Sequence, residues 1–104
     1  MRVVNIDQVP NQSFSVTLDG NRWDISIKQA VSAMVADISL NDVIILSGQI
    51  IVAGTPIIPY KHLQGSGNFL ILTENDEIPN WERFDMDQIM VYASAAEIDE
   101  IRAS

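Results

Sequence analysis

Few residues in this 104-residue chain are equipped for chemistry, and those few stand apart from one another. His62 is the only histidine, so a histidine-based triad or metal site would have to be built around it with carboxylates drawn from elsewhere. A catalytic base needs a nucleophile and an orienting group within reach, and nothing beside Lys61-His62 supplies them, so a loop histidine is the reading adopted. Glu74-Asn75-Asp76-Glu77 offers the hard oxygen ligands that calcium takes. Without the central glycine and distal glutamate of an EF-hand loop, it reads as a solvated acidic loop. Gly65-Ser66-Gly67 is followed neither by a Lys-Ser/Thr pair nor by a helix, so it lacks the dipole that helps a glycine loop hold phosphate and reads as a turn. Fourteen acidic side chains supply carboxylate pairs in number, but nothing fixes two of them at a glycosidase separation. The absence of cysteine removes disulfides, thiolate metal sites and a thiol nucleophile together. The expectation is no enzyme, no cofactor and no metal.

Composition points to a binding or structural role. A hydrophobic fraction of 47% with 19% charged residues is that of a globular protein, and the length suits one domain over residues 1–104. Net charge is −8 and uneven: residues 1–73 carry five acids against four bases, while residues 74–104 carry nine acids against two. Arg2, Arg22, Lys28, Lys61, Arg83 and Arg102 are too scattered to form the basic stripe that releases counterions from a nucleic acid, so no direct nucleic-acid contact is expected. No apolar run approaches the ~18 residues of a spanning helix, and Met1-Arg2-Val3-Val4-Asn5 does not open a signal peptide. Residence in a cytoplasm without membrane insertion is the expectation, and the glycosylation-like Asn11-Gln12-Ser13 is then a chance match.

The elements available to position any site are strands. Phe14, Val16 and Leu18 alternate with Ser15, Thr17 and Asp19, the period of a half-buried strand. Asp19-Gly20 supplies the positive φ of a primed hairpin turn, and Trp23, Ile25 and Ile27 resume the alternation. Met34, Ala36, Ile38 and Leu40 alternate again, and after Asn41-Asp42 the unbroken run Val43-Ile44-Ile45-Leu46 predicts a strand covered on both faces. Gly48 is expected to interrupt before Gln49-Ile50-Ile51-Val52. Pro56 and Pro59, which lack backbone donors, keep the following stretch out of a sheet centre. Phe69–Thr73 and Gln88–Tyr92 read as further strands. Ser94 and Glu97 form a capping box that opens a short helix. With no helix between strands, the pattern predicts an all-β (mainly β) fold, either a small barrel or a two-layer sandwich of about seven short strands, closed by one C-terminal helix.

Large aromatics remain to be placed. Trp23 and Phe69 lie within strand patterns and are expected in the core, whereas Trp81 and Phe84 sit in a Pro-led, charge-rich segment where either core or partner contact is open.

The strings Pro10–Trp23, Val52–Tyr60, Gly67-Asn68-Phe69 with Leu72-Thr73-Glu74, Ile78-Pro79, Trp81 and Val91–Ser94, in this order, resemble the plug-protein family of the cyanophage contractile-tail (myophage) baseplate. The chain departs from that pattern at Ser66, where a glycine is expected, and at Asn80, where a second tryptophan is expected. The resemblance implies a structural virion component without activity, assembled in the host cytoplasm and docked at the central hub near the tube and spike junction. Other baseplate proteins (hub, tail tube or spike) would be its partners, with several copies in the assembly. Candidate contact residues are Tyr60, His62, Trp81, Phe84 and Met86, together with exposed strand edges. The alternative from the charge distribution is a small acidic binding module, an inhibitor or nucleic-acid mimic, acting on a basic partner protein.

Overall fold

The computed structural model describes residues 1–59 and 67–103, which form seven strands and one helix. Strands β1 (Arg2–Val4), β6 (Gly67–Leu72) and β7 (Ile89–Ser94) make a three-stranded antiparallel sheet in the order β1-β7-β6. Strands β2 (Asn11–Leu18), β3 (Asn21–Gln29), β4 (Met34–Leu40) and β5 (Val43–Ile50) make a four-stranded antiparallel meander. Helix α1 (Ala95–Ala103) follows β7. The two sheets stay separate, so the sandwich is the fold and the closed barrel is not.

Local chemistry explains the meander. Asp19 and Gly20, at φ 52° and 77°, form the expected two-residue turn between β2 and β3. Asn41 and Asp42, at φ 49° and 70°, repeat it between β4 and β5 without glycine. The Asn41 side chain helps hold that turn, its Oδ1 accepting a hydrogen bond from the Arg22 backbone amide at 2.9 Å, while the Asn41 backbone amide donates to the Arg22 carbonyl at 2.8 Å. The alternating residues Trp23, Ile25, Ile27, Met34, Ala36 and Ile38 all turn inward and are buried. They meet Phe69, Ile71, Met90 and Tyr92 of the other sheet in one core cluster. At its centre the Trp23 ring stands edge-on to Phe69, with centroids 5.1 Å apart, and Tyr92 lies 5.3 Å from Phe69. Such geometry adds about 0.5–1.5 kcal/mol per pair beyond burial. Trp23 Nε1 has no hydrogen-bond partner among the described residues, a cost of about 1–3 kcal/mol.

The three-stranded sheet is covered twice. Its second face packs Leu70, Val91 and Ala93 against Ile98 of the helix. The expected capping box starts that helix: Glu97 Oε1 accepts from the Ser94 amide at 3.1 Å, and the Glu97 amide donates to Ser94 Oγ at 3.4 Å. The Met1 ammonium lies 2.6 Å from Glu97 and, together with the Ser94 amide, holds the glutamate below its ordinary pKa. The free edge of β6 is closed by the chain crossing between sheets, where Gly54 and Ile57 donate to the carbonyls of Ile71 and Phe69 at 3.0 and 2.8 Å. Buried Asn68 completes the seal, accepting from the Ile58 amide at 2.9 Å and donating to its carbonyl at 2.8 Å. Pro56 and Pro59 lie in this crossing and outside either sheet, as their missing donors require.

Two expectations change. The run Val43–Leu46 is not covered on both faces: β5 is the last strand of its sheet, and Val43 and Ile44 are 62% and 76% exposed. Nor does Gly48 end a strand. It sits at φ 68° within β5 near register shifts against β4, and its amide donates to Asp37 Oδ1 at 2.6 Å, so Val43–Leu46 and Gln49-Ile50 belong to one bulged strand, and Ile51 and Val52 lie beyond its end.

Candidate docking surface

The segment from 73 to 88 has little regular structure, yet side chains fix it closely. Buried Gln88 accepts from the Asn80 amide at 2.8 Å and donates to the Ile78 carbonyl at 3.3 Å, clamping the loop from below. Asn80 caps a 3-10 turn over Trp81–Arg83 by accepting from the Glu82 amide at 3.0 Å. The Arg83 guanidinium binds Asp87 and lies 3.8 Å from Glu77, while Asp85 takes φ 61° to reverse the chain.

This loop decides the fate of the aromatic candidates. Phe84 is fully buried in the core, so as a contact residue it is withdrawn: the 3-10 turn directs its ring inward, and no partner can touch it in the folded protein. Trp81 is half-buried against the core, and its Nε1 donates to Gln29 Oε1 at 2.9 Å, tying the loop to the end of β3. Met86 is 69% exposed, with Sδ 3.5 Å from the Gln8 side-chain amide that also donates to the Glu82 carbonyl. Tyr60 and His62 lie outside the described residues.

Where the loop meets the turn between β3 and β4, a groove of about 490 Å³ opens. Ile50 to Ala53 form one wall, Ile78 and Pro79 another, and Ser32 with Ala33 close the end. Ile50, Val52 and Ile78 are each more than half exposed, an apolar lining without a layer over it among the described residues. A second hollow shares Ser32, Ala33, Ile78 and Pro79 and extends to Gln29, Asn80 and Glu82. The Glu82 carboxylate makes no ion pair among the described residues. Ile50, Val52 and Ile78 are named in the sequence pattern but not as contact residues. The available signal was an isoleucine placed between an acidic loop and Pro79, where no alternation gives it a buried face.

The outward face of β2 to β4 is largely polar. Ser13 Oγ lies 2.7 Å from Ser26 Oγ, Ser15 hydrogen-bonds to Asp24, and Lys28 pairs with Asp37 at 3.1 Å. The Gly48 amide, then the Lys28 ammonium, hold Asp37 below the ordinary carboxylate range. Among the described residues, no group of three or more His, Cys, Asp or Glu side chains could hold a metal ion. None of the described helices is long and apolar enough to cross a membrane.

The family described as the cyanophage baseplate Pam3 plug gp18 matches residues 1–95, the span from β1 through β7 to the first residue of α1. No curated protein gives a significant match. Both sheets and the whole groove fall inside the matched span, and the chain belongs to the cyanophage baseplate plug family.

Proposed function

We propose that this protein docks at the central hub of the baseplate, near the junction of tail tube and spike, in several copies and without catalysing a reaction. Membership of a baseplate plug family makes it a structural component of the phage virion that contacts other baseplate proteins. The single observation that supports surface docking is the apolar groove bounded by Ile50, Val52 and Ile78, which begins where a strand edge unpaired among the described residues ends. Exposed apolar surface beside a free edge suits assembly into a larger structure. Trp81 and Met86 flank this region on the loop from 79 to 86, and they are proposed contacts together with the edge strands. Folding in the host cytoplasm precedes incorporation. Cryo-electron microscopy of the intact tail tests the placement: density for this fold on the hub axis is the expected result, and its absence from purified particles overturns the proposal.

A further inference from the structure

The free edges of the two sheets are not equivalent. The edge of β6 is sealed by the crossing segment, and β1 offers only three residues. Strand β2 is long enough to pair, but it presents Ser13, Ser15 and Thr17 outward as exposed polar side chains. Strand β5 alone combines eight residues, an outer edge without a backbone partner among the described residues, and exposed Val43, Ile44 and Ile50. It carries no charged residue and no proline, and of the usual guards against pairing it has only its bulges. At Ile50 this edge runs into the groove, whose far extension reaches Glu82.

We infer that β5 receives an extended segment of another protein as a fifth strand, with an apolar side chain in the groove at Ile78 and a lysine or arginine facing Glu82. This deepens the docking reading above and rests on it. Backbone pairing along β5 supplies affinity, and the groove with its carboxylate supplies register and selectivity. Charge points to a basic apolar segment over a second copy, with Lys61 and Arg102 outside the described side chains. Each lysine or arginine with a described side chain is already engaged by the chain's own carboxylates: Arg2 by Asp19, Arg22 by Asp24 and Asp42, Lys28 by Asp37, and Arg83 by Glu77 and Asp87. None of these is left to neutralise Glu82 of a neighbour, and two chains of net charge −8 repel.

The test uses the full chain and a labelled ten-residue peptide of alternating valine and lysine, beside the same peptide with glutamate in place of lysine. Saturable binding of the lysine peptide is expected, with slowed amide exchange along β5 and roughly tenfold weakening by Glu82→Lys or Ile78→Asp. Both substituted side chains are exposed, and circular dichroism confirms that the variants fold. Equal binding of the two peptides, exchange protection along β2 instead, or light scattering that shows copies joined through β5 would each overturn the inference. Particle composition is scored separately. Absence of the chain from purified tails removes the baseplate role while the peptide result stands. A chain present in tails whose β5 does not bind the peptide removes strand addition alone.

Discussion

Strands β5 and β6 each carry four consecutive apolar residues, Val43–Leu46 and Phe69–Leu72, and both end a sheet. In β6 the first three of these are buried and Leu72 is half-buried, because the meander lies on one face, α1 on the other, and the crossing segment covers the edge. In β5 Leu46 is buried and Ile45 packs half-buried against the core, whereas Val43 and Ile44 face solvent. The same run of side chains therefore serves cohesion in one place and availability in the other. The layers around a strand, more than its own residues, determine which.

The largest effect that would break this contrast comes from truncation. Ile71→Ala, at a fully buried site, is expected to cost about 3–4 kcal/mol, whereas Ile44→Ala stays within about 0.5 kcal/mol. Urea titrations of both variants check it, and costs within about 1 kcal/mol of each other would erase the contrast. Next is the seal on the β6 edge. Asn68→Ala leaves the Ile58 amide and carbonyl without the Asn68 side chain and should cost about 3 kcal/mol, with faster exchange at Ile57 and Ile58. A smaller loss is expected from Gly67→Ala, because a Cβ there would run into the ring and hydroxyl of Tyr92. Overpacking of this kind costs about 1–3 kcal/mol, read as a lowered Tm.

The smallest effect concerns the bulge of β5. Asp37 is held below its ordinary pKa, so its anchoring of the Gly48 amide is complete above the unfolded-state value and is lost as pH falls through the folded one. Exchange at the Gly48 amide, corrected for intrinsic rate, should accelerate on acidification below the ordinary aspartate range. Asp37→Asn should flatten that dependence, and an unchanged profile in the variant would assign the effect elsewhere.

Much of this architecture is legible in residue order because alternation and turn chemistry are local. Phe14 to Leu40 could be read strand by strand, and Ser94 with Glu97 marked the helix start. The fate of Val43–Leu46 was not legible, since an unbroken apolar run looks the same whether or not distant chain covers it. Phe84 illustrates the converse: with no periodicity around it, only the 3-10 turn and the Gln88 clamp direct its ring inward. The groove was hidden for a related reason, as Ile50, Val52 and Ile78 are brought together by the crossing segment and the loop after β6.

Chain order also separates the two sheets in time. Every pairing of the meander joins consecutive strands, whereas Arg2 must find Tyr92. Closing so long a loop carries an entropic cost before any contact rewards it, so residues 11–50 are expected to gather first and β1 last. Pulse-labelled refolding would report this as early shielding of β3 and late shielding of Val3. Until β6 and β7 arrive, Trp23, Ile25 and Ile27 have no opposing layer, and the half-made molecule is at its most prone to aggregate.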